Sequence, residues 1–366
     1  MNSVEGDLFN LSFSAIRGVQ AGREYYVTMC PLDTVCRITL YNEDELPPDF
    51  RAQRTLNQRR VPDIVRYILE NPTSYVFSAL TVSVDTEMNF SPSNNDSSCN
   101  QGILTVPASA KFVINDGQHR RAAISEAIQK NNVLASETIP LVIFVDSDLK
   151  QSQQMFADLN RYAIRPTKSL GILYDRRDSV AAATLEIVSS VPLFRGSVEY
   201  EKTSLSNRSK KLFTLSNVYQ AFCKLLNKTK GDQVSVNEKN LAIDYWTALS
   251  IVIPEWKSYT AGEIKASILR RQFVHSHGVI LVALGIAGQS LIHQFPENWR
   301  GRLMPLHSID WNRTNTEMWE GIAMEGGKIS KAHRNVKRTS IRLREIMGLN
   351  LSQDEVKFMR TETQRW

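Results

Sequence analysis

Short apolar runs of strand character fall in the first 178 of the chain's 366 residues, and beyond Asp178 apolar positions recur at helical spacing. That division is the strongest constraint on the fold. Residues 24–30 and 36–41 alternate in the β manner and predict a hairpin across residues 31–34. Further strands are expected at Leu80–Val84, 103–106, 112–114 and 140–145, with a loop over residues 91–102. Val61, Ile64, Val65, Ile68 and Leu69 make one apolar helical face, with Pro62 in the first turn and Asn71 and Pro72 at the end. A helix over 151–159 buries Met155, Phe156 and Leu159, and Thr167 reads as the N-cap of another. Residues 179–190, 215–226 (capped by Thr214 or Ser216), 241–253 and 278–288 then read as helices. The expected class is α+β, with a mixed-sheet N-terminal domain over 1–178 and a mainly α-helical C-terminal domain over 179–366.

Composition removes several function classes. Hydrophobic residues make up 42% and charged residues 22%, as in ordinary globular proteins, and no uncharged apolar stretch reaches membrane-spanning length. The N-terminal residues carry no basic-plus-apolar leader pattern. Cys30, Cys36, Cys99 and Cys223 show neither C-x-x-C pairing nor a histidine at zinc-ligand spacing. A reducing cytoplasm is expected, without disulfides, zinc or haem.

Charge is unevenly shared. The net +6 resolves into −3 over residues 1–178 and +9 over 179–366, which favours a polyanionic partner for the second half, double-stranded DNA first. Residues 204–211 form a basic loop with Lys210 and Lys211. From Lys328 to Arg344 no acid occurs, and on a helix Lys331, Arg334, Arg338 and Arg342 would make one stripe opposite Val336, Leu343, Ile346 and Met347. Like charges so stacked repel unless an anion lies along them. Lys210, Lys211, Lys331, Arg334, Lys337, Arg338 and Arg342 are therefore the expected DNA-backbone contacts, a solvated basic helix being the plain alternative.

The stretch most suggestive of chemistry runs from Phe112, Val113 and Ile114 through Asp116, Gly117, Gln118, His119 and Arg120 into a helix with Ala123, Ile124, Ala127 and Ile128. A strand that turns on a glycine into a helix leaves backbone N–H groups unpaired, which makes an anion-sized site. Arg120 and Arg121 are disfavoured at the positive end of a helix unless an anion lies between them. In the alternative, Asp116 caps the helix and the arginines are solvated. Two more cationic helix starts, around Arg54 and Arg59 and around Lys168, could converge on the same pocket.

Asp116 to Arg120, after a strand and before a helix, resembles the signature of the DGQHR-domain family. With Arg54, Asn57, Gln58 and Arg59 ahead of the helix that ends near Pro72, and residues 156–160 behind the motif, the likeness extends over most of the chain to the DndB family. These are regulatory proteins of bacterial DNA phosphorothioation clusters, in which sulfur replaces a backbone oxygen. They are similar to the ParB/sulfiredoxin superfamily, whose members bind nucleoside triphosphates on a glycine-to-arginine turn at a helix start. The resemblance implies a ParB/sulfiredoxin-like fold for 1–178, with Gly117 and Arg120 as the G-x-x-R core and residues 158–161 as a second phosphate-and-metal box. It further implies a nucleoside triphosphate, ATP first, with magnesium. The phosphate-binding set is then Arg54, Arg59, Gly117, Gln118, His119, Arg120, Arg121, Asn160, Arg161 and Lys168.

Two departures narrow the chemistry. Gln118 stands where sulfiredoxin-like proteins carry the nucleophilic cysteine, and glutamine forms no thiol-linked intermediate, so sulfinic-acid reduction is not expected. Ala157 stands where the second box has its glutamate, so magnesium would rely on Asp158, Asn160 or Asp116. The six histidines give no H-N-H nuclease arrangement, and His275 and His277 read as a helix start.

Two functions follow as expectations. The first is a DNA-binding transcriptional regulator, a repressor of its own modification cluster, with a nucleotide- or phosphate-binding pocket at the motif. The alternative is a ParB-like NTPase within a DNA modification or phage-defence system, with Asp116, His119 and Arg120 as its catalytic set. It would have to work without a P-loop, which the chain lacks. In a third variant the pocket receives DNA phosphate or phosphorothioate itself. Partners are promoter DNA, further copies of the chain and other DNA modification proteins, with no membrane.

Overall fold

A computed structural model describes residues 10–40, 58–94, 96, 98–146, 150–161 and 166–363. The chain divides into two compact units, Met1–Ile164 and Arg165–Trp366. Unit 1 has a net charge of −5 and unit 2 of +11.

Unit 1 is a mixed sheet with helices. Its elements are β1 (Asn10–Gln20), β2 (Arg23–Pro31), α1 (Leu32–Ile38), β3 (Thr39–Leu40), α2 (Val61–Glu70), β4 (Leu80–Val84), β5 (Asn89–Pro92), β6 (Gln101–Pro107), β7 (Phe112–Asp116), α3 (Gln118–Lys130), β8 (Thr138–Val145) and α4 (Lys150–Arg161). The eight strands run in the order β3-β7-β4-β8-β2-β1-β6-β5. β4 is the hinge of the pattern: it pairs antiparallel with β7 and parallel with β8.

Alternation fixes which side of each strand is buried. Leu80, Val82 and Val84 of β4, Phe112 and Ile114 of β7, and Ile139, Leu141 and Ile143 of β8 enter one core with Val61, Val65 and Ile68 of α2 and Ala123, Ile124 and Ala127 of α3. Each large side chain so buried contributes about 1.5–3 kcal/mol relative to exposure. The hairpin expected over 24–41 does not form. β2 pairs with β1 and β8, and residues 32–38 are helical. Leu32 and Val35, one turn apart, are both buried, and that burial outweighs the β-like alternation of residues 36–40.

Unit 2 is mainly helical. It contains α5 (Lys168–Tyr174), α6 (Ser179–Ser190), β9 (Val198–Glu199), β10 (Phe213–Thr214), α7 (Leu215–Leu226), α8 (Val236–Val252), α9 (Pro254–Thr260), α10 (Ala266–Gln272), α11 (Gly278–Gln294), α12 (Thr316–Trp319), β11 (Met324–Glu325), β12 (Lys328–Ile329), α13 (His333–Ile346) and α14 (Gln353–Thr363). α11 is apolar around its circumference and forms the centre of the core, with α7 and α13 packed against it. Trp246, Trp256, Trp311 and Trp319 are fully buried in the same core. Thr214 caps α7, and Ser235 caps α8 through a reciprocal capping box with Glu238. No helix among the described residues is long and apolar enough to cross a membrane.

Candidate functional site

The strand–turn–helix stretch forms as its spacing predicts, and Gly117 is the reason the turn is tight. Its φ of +109° suits glycine, and a Cβ there would lie 2.2 Å from Leu80 Cδ2. Gln118 folds back along the strand and donates from Nε2 to the Ile114 carbonyl at 3.0 Å. Arg120 crosses to the start of β4. Its Nη1 donates to the Ser78 carbonyl and hydroxyl and to the Ala79 carbonyl, and its Nη2 reaches Asp116 Oδ2 at 2.7 Å. Arg121 is buried and donates to the Cys36 carbonyl and to Thr39 Oγ1.

These contacts correct the expectation of two arginines sharing an anion. Both guanidinium groups serve the protein's own oxygens, Arg120 tying the turn to β4 and Arg121 tying α3 to the end of α1. Arg60, the residue before α2, lies near enough to His119 for its charge to be felt there. Burial, and secondarily the charge of Arg60, holds the His119 imidazole below its ordinary pKa. A neutral imidazole offers one N–H donor beside an exposed guanidinium at the start of α3. Arg59 is exposed on the same short segment; Arg54 lies outside the described residues.

The second box lies on α4. Asp158 Oδ1 accepts from Gln154 Nε2 at 2.8 Å, and both border a cleft of about 510 Å³ with Arg23, Thr81, Phe144 and Met155. Thr81 is the register partner of Asp116, so the cleft adjoins the strand end that carries the motif. Beneath Met155, Asn115 Nδ2 donates to Ser83 Oγ at 2.6 Å and contacts the Met155 sulfur. Arg161 is exposed at the end of α4, and the side chain of Asn160 lies outside the described ones. Sequence reasoning missed Gln20, Arg23 and Phe144 of this cleft, although Ala21 and Gly22, both with positive φ, mark the turn that delivers Arg23.

The oxygens offered to magnesium fit it poorly. Asp116 is paired with Arg120, Asp158 with Gln154, and among the described residues no three His, Cys, Asp or Glu side chains gather to hold a metal. A family model described as DndB, DNA-sulfur modification-associated, matches residues 13–350.

The chain belongs to the DndB family. No curated protein and no solved structure matches it. The DndB match runs from β1 to just beyond α13 and so includes the motif, the cleft and most of the basic unit. Membership places the chain in DNA sulfur modification.

In this DndB-family chain the basic stripe of α13 is not an open row of charge. Arg338 is buried and donates to the Gly321 carbonyl at 2.7 Å, which corrects its assignment as a DNA contact. Arg334 pairs with Glu325 at 2.8 Å and Arg342 with Glu345 at 3.3 Å, while the Lys337 ammonium sits 4.3 Å from the centre of the Phe358 ring. Lys331 donates to Asn217 Oδ1. In the 204–211 loop Lys210 is exposed and Lys211 donates to the Gly196 carbonyl at 2.7 Å.

The loop itself is pinned from below. Arg270 of α10 is buried and donates to the carbonyls of Leu205, Ser206, Leu212 and Ser276 at 2.8–3.1 Å. Lys168, expected beside the motif, starts α5 in unit 2. His277 stands at the N-cap position of α11 with its Nε2 3.0 Å from the Arg270 carbonyl, and burial brings its pKa down to about 3, so it is a neutral structural residue.

Proposed function

We propose that the protein is a DNA-binding regulator, acting as a repressor, of a DNA phosphorothioate modification gene cluster, and that unit 2 carries the DNA surface. The observation that carries this reading is the charge division, −5 in unit 1 against +11 in unit 2, in a chain of the DndB family. Phosphate contacts by exposed cations such as Lys210, Arg334 and Arg342 position a protein on DNA without reading its sequence. Two copies of the chain on a palindromic site would set two such surfaces about one helical turn apart. The test is a mobility-shift assay on DNA upstream of the protein's own gene cluster at several salt concentrations. A shift that weakens steeply with salt is expected. No shift on that DNA under any condition removes the reading.

A second role is supported by the turn at Gly117. The start of α3, the neutral His119 and the charge of Arg60 form a setting suited to a phosphate group. We read it as a nucleotide- or phosphate-sensing site that modulates DNA binding. Labelled ATP, GTP and CTP distinguish the outcomes. Binding without turnover, weakened in Arg60→Gln, supports the sensor; hydrolysis supports the NTPase; neither binding nor hydrolysis makes the turn structural.

A further inference from the structure

The Lys331 ammonium and the chain just after Lys168 come from distant parts of the sequence to the first turn of α7 in unit 2, where the charge of Lys168 is felt at Lys331. The residue after Lys168, Ser169, is fully buried and accepts from the Ser216 N–H at 3.3 Å, while its own hydroxyl donates to the Lys202 carbonyl at 2.9 Å. The neighbouring Asn217 accepts from the Lys331 ammonium. Asn217 is in turn held in place: its backbone N–H donates to Thr214 Oγ1, and its side chain lies so close to Gly278 that a Cβ there would come within 2.7 Å of it. The amides of Ser216 and Asn217 are thus already bonded, and the positive groups left at this place are side chains.

Neither lysine makes an ion pair among the described residues. Partial desolvation, followed by the charge of Lys168, lowers the pKa of Lys331, and no carboxylate contributes in the other direction. Three other lysines of unit 2 do meet acids: Lys228 meets Glu238, Lys230 meets Asp175 and Lys239 meets Glu186. Two ammonium groups brought together without an acid repel each other unless an anion is shared between them.

We propose that Lys168 and Lys331 clamp a single phosphodiester group of bound DNA, with Asn217 as the anchor that holds Lys331 in position. The clamp rests on the DNA-binding reading above and adds one specific phosphate contact to it. A phosphate shared by two ammonium groups is one contact, not two, and that sets the test.

The full-length protein and its Lys168→Gln, Lys331→Gln and double variants are titrated with operator DNA between 50 and 200 mM salt. Loss of one phosphate contact lowers the salt slope by about 1, so each variant should lose affinity about fourfold less than wild type over that range. The double variant should match the singles. Additive reductions, with a slope change of about 2 in the double variant, or no change in any variant, overturn the clamp. A second arm titrates inorganic phosphate without DNA and follows the Lys331 ammonium by NMR. Perturbation by phosphate that is lost in Lys168→Gln and competed by non-operator DNA supports the clamp, and it does so even where the repressor reading fails for want of an operator-specific shift. Phosphate binding that DNA does not displace assigns the pair to a free anion and overturns the DNA form. No perturbation at Lys331 overturns the clamp outright.

Discussion

Arg120 Nη2 lies 2.7 Å from Asp116 Oδ2 across the glycine turn, while Nη1 of the same guanidinium donates to the Ala79 carbonyl at 2.9 Å. One side chain therefore holds the end of β7 to the beginning of β4. Arg120→Ala leaves those acceptors without their partner and should destabilise unit 1 by about 2 kcal/mol. Arg120→Lys should recover only part, because a point ammonium cannot span both groups. All six tryptophans are in unit 2, so the measurement is amide hydrogen exchange in β4 rather than fluorescence. Unchanged protection in Arg120→Ala would mean that the guanidinium is free for a ligand after all.

His119 supplies a pH test. Its folded-state pKa lies below the ordinary 6.5, so the unfolded chain binds more protons near that pH. Its contribution to stability is present above 6.5 and declines as pH falls below it. Arg60→Gln should raise the His119 pKa by only part of the shift, since burial is the larger cause and Arg60 the smaller. A phosphate-type anion at the turn should raise it too. Imidazole carbon NMR across pH 4–8, with and without phosphate, reads both effects; a His119 resonance indifferent to anion speaks against the sensing site.

Arg270 separates scaffold from contact. Its four carbonyl acceptors make Arg270→Ala costly, roughly 3 kcal/mol, and the cost should be felt in the 204–212 loop. Limited proteolysis should cut that loop faster in Arg270→Ala and nearly as fast in Arg270→Lys. Cleavage at the wild-type rate would show that the loop is held by something else.

Along α13 two arginines four residues apart should behave oppositely. Arg338→Gln should lower thermal stability, because the buried guanidinium that donates to the Gly321 carbonyl is lost. Arg342→Gln, at an exposed pair, should leave stability within about 0.5 kcal/mol and reduce the salt dependence of DNA binding. Paired melting and salt-titration curves decide. A DNA defect in Arg338→Gln with stability intact contradicts the placement.

How much of this was legible depends on where the partners lie. α2 could be read because Val61, Val65 and Ile68 repeat on one face, and α7 because Thr214 caps an apolar face that starts at Leu215. β1 went unread because Phe13 and Ala15 alternate with serines and the run begins weakly. α1 was misread because residues 36–40 alternate, and only the three-dimensional burial of Leu32 and Val35 decides for the helix. At the motif the turn and Gly117 were visible, but several acceptors of Arg120 and Arg121 are main-chain oxygens of residues 36, 78 and 79, which carry no side-chain signature. The acid-free window of 328–344 misled similarly, because Glu325 and Glu345 lie just outside it.

The loop over Arg270 is anchored by a cation among carbonyl dipoles, with no carboxylate in the arrangement. A guanidinium keeps its proton at any physiological pH, and a buried charge–dipole contact is scarcely screened by dissolved ions. Salt would therefore leave the loop's shape unchanged while weakening any grip of its exposed cations on an external polyanion. On the proposed reading of unit 2 as the DNA surface, the loop would then part from DNA with its shape kept and could bind again without refolding when ionic strength falls.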